Sequence, residues 1–275
     1  MLSNKYKRGD YPLLSVKNLK VNFISENQTI SALKGISFEV YPNEIVALVG
    51  ESGSGKSVSC YSILKLLPRY AKVEGKISLN TKRYNIDNLL NLNNEDIRKI
   101  RGYDISLIFQ EPSSVLNPLL TIREQIVETI LAHRNVSKEE ATEIALRALR
   151  DVHIPEEEKR FYQYPHELSG GLKQRVAIAI ATVNEPSVIL ADEPTTALDV
   201  TVASKILDLF KKQKEKDRGV LLITHDFGVV AEVADYVYVI KDGEILEHNN
   251  VYEIFENPKH PYTIKLLESR PIFLR

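Results

Sequence analysis

The sequence predicts an α/β fold built on a largely parallel sheet. Three observations carry that expectation. Short apolar runs, "EIVALVG" (Glu44–Gly50), "ISLIF" (Ile105–Phe109), "SVILAD" (Ser187–Asp192) and "VLLIT" (Val220–Thr224), have the length and β-branched content of strands buried on both faces. Helix-forming stretches alternate with such runs, which is the pattern of a parallel sheet crossed by helices. The first run leads through a glycine-rich loop directly into a helix, a junction that parallel sheets place at their carboxyl edge.

Taken in order, "LLSVKNLKVNF" (Leu13–Phe23) partly alternates and reads as a strand, as does "ISFEV" (Ile36–Val40). A helix follows the glycine-rich loop from near Gly55 to about Leu67, where Pro68 stops it. "KVEGKISL" (Lys72–Leu79) returns to strand. The middle then changes character. Ile122, Ile126, Val127, Ile130 and Leu131 mark one helical stripe; Ala141, Ile144, Ala145, Ala148 and Leu149 mark another. Ser137 with Glu140 three residues on reads as a capping box opening the second stripe. A helical insertion between Gln110 and about Glu167 is the expectation. After the two later runs, "YVYVI" (Tyr236–Ile240) adds another strand, and Asn257–Arg275 reads as a short helix after a proline-bounded turn.

A chain of 275 residues with 43% hydrophobic and 27% charged residues is an ordinary globular composition with a substantial core. A formal net charge of −1 gives no bulk basic field for nucleic acid. One cysteine, Cys60, excludes an internal disulfide framework and suits a reducing compartment. The opening "MLSNKYKRGDYP" has no apolar core behind its positive charge, so a secretory signal is not expected. The apolar stretches are too short to cross a bilayer; work at a membrane would need a partner that spans it.

"GESGSGKS" carries the clearest chemistry. Gly50, Glu51, Ser52, Gly53, Ser54 and Gly55 form a loop whose backbone N–H groups can wrap phosphates, Lys56 can reach the β- and γ-phosphates, and Ser57 can hold Mg²⁺. Asp192 ends an apolar strand and is placed to hold Mg²⁺ through its water, while Glu193 beside it can orient and polarise an attacking water. His225 follows another buried run and Gln110 a third, so both can reach the same sheet edge; Gln110 could contact metal or water. Phe23 late in the first strand can stack on a flat base or serve the core. A second candidate anion site lies in "LSGGLKQRVAIAIA", where Ser169, Gly170 and Gly171 open a helix whose unpaired N–H groups suit phosphate.

Together "GESGSGKS", "FQEP", "LSGGLKQR", "ILADEP", "TALD" and "ITHD" resemble, in order and spacing, the ATP-binding cassette (ABC) ATPases, over about residues 13–270. The resemblance implies a phosphate-loop NTPase core over 13–109 and 168–250, including an N-terminal antiparallel β subdomain. It further implies an inserted helical subdomain over 110–167 and a tail over 251–275. It implies ATP and Mg²⁺, with Phe23 stacking on adenine, Glu193 as catalytic base, His225 as a switch at the γ-phosphate, Gln110 in the loop to the insert and Asp199 at a dimer contact. Ser169, Gly170 and Gly171 would then close on ATP held by a neighbouring subunit, so the two phosphate sites imply a head-to-tail dimer.

Finer matches, above all "NPKHPYTIKLL" (Asn257–Leu267), resemble the ATP-binding subunits of oligopeptide, dipeptide and nickel importers. That implies a second ATPase subunit, identical or related, two membrane permeases, an extracytoplasmic solute-binding protein, and a peripheral place on the cytoplasmic face of the membrane. With Cys60 alone, the iron–sulfur centre of longer relatives is not expected, nor is nucleic acid. Uptake of nickel or another small solute, an exporter, and a cassette ATPase not coupled to transport remain as alternatives.

Overall fold

The computed structural model describes residues 8–26, 28–196 and 198–269. The chain opens with strands β1 (Leu14–Ile24), β2 (Thr29–Val40) and β3 (Glu44–Val49), then helix α1 (Lys56–Ile63). Strands β4 (Ala71–Asn80) and β5 (Asn85–Ile86), helix α2 (Asn94–Ile100) and strand β6 (Ile105–Ile108) follow. Helices α3 (Ile122–Leu131), α4 (Lys138–Asp151), α5 (Glu157–Phe161) and α6 (Gly170–Thr182) come next without an intervening strand. The chain then alternates β7 (Val188–Asp192), α7 (Val200–Lys214), β8 (Gly219–Thr224), α8 (Phe227–Val233) and β9 (Tyr236–Lys241). It closes with β10 (Glu244–Asn250), α9 (Val251–Glu256) and α10 (Pro261–Glu268).

Two sheets result. The larger has strand order β10-β9-β3-β8-β7-β6, parallel throughout except for the antiparallel edge strand β10. The smaller, β2-β1-β4-β5, is antiparallel. The α/β expectation of a largely parallel sheet therefore holds.

Every residue of β3, β7 and β8 is buried, as their unbroken apolar runs require. Alternation decides which core each side chain joins. Ile45, Ile189, Ala191, Val220 and Leu222 pack under α3, α4, α6 and α7. Val46, Leu48, Val188, Leu190, Leu221 and Ile223 face the other way, into the space shared with the antiparallel sheet, α1 and α2. A third cluster joins Ala47, Val49, Val237 and Val239 to Phe227, Val251, Ile254 and Tyr262, and so seats α8, α9 and α10 beside β3 and β9.

Some local expectations need correction. Helix α1 stops at Ile63 rather than near Leu67: Leu64 leaves helical geometry and Lys65 turns left-handed at φ +51°. The chain thus turns before Pro68 can act as the breaker. At Ser137 only half of the capping box forms, since the serine oxygen accepts from Glu140 N but no return bond from Glu140 is present. The complete box opens α3, where Thr121 and Glu124 bond reciprocally. Strand β2 begins at Thr29, well before the "ISFEV" run, because pairing with β1 carries its exposed first residues. Strand β10 and helix α2 were not foreseen: "EILEHNN" is too polar to read as a strand and is held by its pairing with β9.

Asn184 ties the helical region to the sheet. Fully buried, its amide nitrogen donates to Gly102 O at 3.1 Å and to Thr129 O, in α3, at 3.0 Å. Asn184→Ala leaves both carbonyls without this donor, and the expected loss of stability is about 1–3 kcal/mol, readable as a lower midpoint in urea unfolding. An unchanged midpoint would show that the tie contributes nothing.

Candidate active site

Parallel register brings the site residues to one level. Val49 pairs with Thr224, Asp192 with Ile223 and Ile108 with Ala191, so β3, β8, β7 and β6 end together. The chain leaves those ends at Gly50, His225, Glu193 and, one residue later, Gln110. A cleft of about 670 Å³ opens there. Gly50, Glu51, Ser52, Gly53, Gly55, Lys56, Ser57, Gln110, Glu193 and His225, all predicted for one site, line it.

The glycine-rich loop is shaped by steric necessity. A Cβ on Gly50 would lie 2.1 Å from Ile240 O, and Gly55 adopts φ +105° with Ala32 O 2.8 Å from where its Cβ would stand. Lys56 is 5% exposed, and its ammonium donates to Gly50 O and Glu51 O at 2.8 Å each. An ammonium has three protons, so one donor stays available beyond those two bonds. Burial pulls the lysine below its usual range against the raising influence of Glu193 and Asp192.

Asp192 is fully buried at the end of β7 and accepts from Ser57 Oγ at 3.0 Å through Oδ1. Burial pushes its carboxyl upward, with the neighbouring Glu193 charge adding to the shift and the Ser57 bond opposing it. Tyr61, beside it on α1, is pushed up to about 12 by burial and by the Asp192 charge. The second oxygen of Asp192, Oδ2, is buried without a hydrogen-bond partner. With only the Tyr61 hydroxyl close by and no well-formed hydrogen bond, a buried carboxylate oxygen beside a serine hydroxyl has the hard-oxygen chemistry that suits Mg²⁺. Gln110, the third residue predicted at the metal, directs its amide nitrogen at Glu193 Oε2 at 3.3 Å, which leaves its amide oxygen uncommitted by that bond.

Glu193 is the hub. Its Oε2 accepts from Gln110 and from Thr196 Oγ1 at 3.0 Å, and its Oε1 lies 3.1 Å from His225 Nδ1. An ionised carboxylate only accepts, so the histidine places its proton on Nδ1. The backbone of Glu193 sits at φ +46°, a left-handed conformation uncommon for a residue with a Cβ, while its N–H still donates to Ile223 O. That turn departs from the strand direction at the point where the side chain meets its three partners. Thr196 escaped the sequence reading, although its place three residues after Glu193 marks it as within reach.

Other predicted residues lie apart from the cleft. Ser54 is buried in the loop itself. Phe23 is half-buried, its ring 5.9 Å from that of Tyr70, and does not line the cleft of this chain. Ser169 caps α6 through its backbone conformation, with no side-chain cap bond, and Ser169 and Gly170 are exposed. A Cβ on Gly170 would meet nothing within 4 Å, whereas one on Gly171 would touch Val202 at 3.4 Å. Asp199 caps α7, accepting from Val202 N at 2.9 Å. Unforeseen, Gln174 on α6 donates from a buried amide to Pro194 O at 3.0 Å, joining the "LSGG" helix to the segment after Glu193.

The sequence profile of the family described as ABC transporter matches residues 33–196. The dipeptide transport ATP-binding protein DppD of Bacillus subtilis is 48% identical over 262 residues, 94% of this chain and 77% of that protein. The chain belongs to the ABC transporter family, among its ATPase cassettes. This cassette is also 46% identical to the glutathione import ATP-binding protein GsiA of Escherichia coli, over 94% of its own length and 42% of that protein. Among solved structures, a dimeric ATP-binding cassette in a post-hydrolysis state with ADP and Pi superposes at a TM-score of 0.76 and 32% identity, covering 86% of this chain and 98% of that one. No helix among the described residues is long and apolar enough to cross a membrane.

Gly50→Ala tests the loop of the ABC cassette. The added methyl group overlaps the Ile240 carbonyl, so the loop must shift at a cost of about 1–3 kcal/mol. Nucleotide affinity is expected to fall by at least about tenfold in an equilibrium titration. Parental affinity would mean that the loop tolerates a side chain there.

Proposed function

We propose that this ATPase drives uptake of peptides by closing with a second cassette around ATP and reopening on hydrolysis, with membrane permeases converting the motion into transport. The observation that carries the catalytic part is the Glu193 carboxylate, held by Gln110, Thr196 and His225 in the same cleft as Lys56. The dipeptide and glutathione importers among the relatives, together with the "HPYT" element, support peptides as the cargo class. A solute-binding protein outside the cell would then select the peptide, since the chain carries its chemistry on the nucleotide side.

In this reading the loop from Gly50 to Ser57 wraps the phosphates, and Lys56 spends its remaining donor and its charge on the β- and γ-phosphates. Ser57 and Asp192 hold Mg²⁺, which when bound neutralises phosphate charge. Glu193 orients the attacking water and takes its proton; His225 and Gln110 fix the carboxylate that does so. Ser169, Gly170, Gly171 and Asp199 serve the partner cassette's nucleotide, and Phe23 stacks on adenine. The core, 13–109 and 168–250, carries the nucleotide, while 110–167 turns with Gln110 and offers its outer face to a permease. Exposed Val115, Leu119 and Tyr162 support that face. The protein would work peripherally at the cytoplasmic side of the membrane.

Glu193→Gln keeps the shape but removes the proton acceptor. Hydrolysis is expected to fall by about a hundredfold or more while ATP binding persists, and an ATP-dependent dimer should accumulate on size exclusion. Turnover near the parental rate would exclude Glu193 as the base.

The shared site has its own test. Gly170→Asp places a charged side chain where the partner's phosphates would approach, and Lys56→Ala disables the chain's own loop. Each variant alone has two damaged sites and should be nearly inactive. A mixed dimer has one doubly damaged site and one intact site, so single-turnover hydrolysis at the intact site is expected to return. None there, with mixed dimers isolated through a different affinity tag on each variant, would refute the two-chain reading.

A further inference from the structure

The tail helix α10 reaches the phosphate loop at a single peptide. Glu51 N donates to the Tyr262 hydroxyl at 3.3 Å. That N–H belongs to the Gly50–Glu51 peptide, whose carbonyl, Gly50 O, receives the Lys56 ammonium at 2.8 Å. One peptide plane therefore carries Lys56 on one edge and Tyr262 on the other. Rotation of this plane would release both bonds together.

Tyr262 is itself held firmly. Its side chain is 7% exposed within the cluster formed with Ala47, Val49, Phe227 and Ile254. The Lys241 ammonium stands 4.8 Å from its ring centroid. The turn that delivers it is fastened to β10: Glu247 accepts Lys259 N at 2.8 Å through one oxygen and His260 N at 3.0 Å through the other. His260 in turn caps α10, its Nδ1 accepting Tyr262 N at 3.1 Å. One turn further along, Leu266 lines the nucleotide cleft itself. The Glu247 carboxyl lies below its ordinary range, because the Thr263 hydroxyl, the two N–H groups and His260 outweigh the opposing effect of burial.

From this we infer that Tyr262 is a positioning residue for nucleotide binding: its hydroxyl fixes the Gly50–Glu51 peptide so that the carbonyls hold Lys56 ready before phosphate arrives. A preorganised ligand-binding group spends less of its interaction energy on ordering, so the tail raises affinity without touching nucleotide through this hydroxyl. The inference rests on the reading of the cleft as a nucleotide site.

The full-length chain is titrated with the ATP analogue AMP-PNP and Mg²⁺ by calorimetry, as parent, Tyr262→Phe, Lys56→Ala and the double variant. Tyr262→Phe removes one hydrogen-bond acceptor and keeps the ring, so binding is expected to weaken about three- to tenfold with the melting temperature lowered by no more than about 2–4 °C. In the Lys56→Ala background the same change is expected to cost less than about twofold, because its effect passes through the lysine. Glu247→Gln, which loosens the turn, should weaken binding in the same direction and add little to Tyr262→Phe. Parental affinity for Tyr262→Phe, or an equal loss in both backgrounds, overturns the inference; so does an inert Glu247→Gln. A parent chain that binds no AMP-PNP would instead sink the nucleotide reading itself.

Discussion

The register between parallel strands is the constraint on which the rest of this structure depends. The four strands β3, β8, β7 and β6 are short, and each has a residue of the cleft within two positions of its end. Had β7 slipped by one residue against β8, Asp192 would point toward the opposite core and every side chain of the strand would change faces. The apolar alternation forbids that slip. Ile189 and Ala191 belong to one core, Val188 and Leu190 to the other, and neither could be exchanged without losing both sets of contacts. Packing beneath the sheet thus sets the position of a carboxylate above it.

Much of the site could be read from residues because its chemistry is local in sequence. Lys56, Ser57, Asp192 and Glu193 each follow a strand that announces itself by an unbroken apolar run, and strand ends in parallel sheets converge. What could not be read is what depends on distant partners. Strand β10 is polar and exists through pairing with β9. The early end of α1 is decided at Lys65, whose left-handed turn no residue pattern announced. Thr196 and Gln174 owe their roles to where two chain segments meet, and Tyr262 acts on a peptide 211 residues away.

Charge is handled differently at each point of the cleft. Lys56 and Asp192 are buried, and each is held by short polar contacts that keep it near one geometry. Glu193 and His225 stand closer to solvent, with side-chain exposures of 13% and 57%. The buried pair has little freedom to reorganise, whereas the outer pair can respond to what enters. On the proposed reading, the buried pair would be a rigid floor that grips and the outer pair a softer rim that reacts, with the left-handed backbone at Glu193 between them.

The separation of the "LSGG" segment from the cleft has a kinetic corollary. Ser169 and Gly170 lie exposed on the surface while Lys56 and Glu193 share a hollow that they do not reach. Under the two-chain reading, an isolated subunit is half a catalyst, and turnover at low abundance rises with the square of subunit concentration. Surplus cassettes that found no transporter would then idle rather than drain the nucleotide pool, since tethering at a membrane complex raises the local concentration of the second copy. Economy of ATP would follow from where a single helix begins, with no inhibitor required.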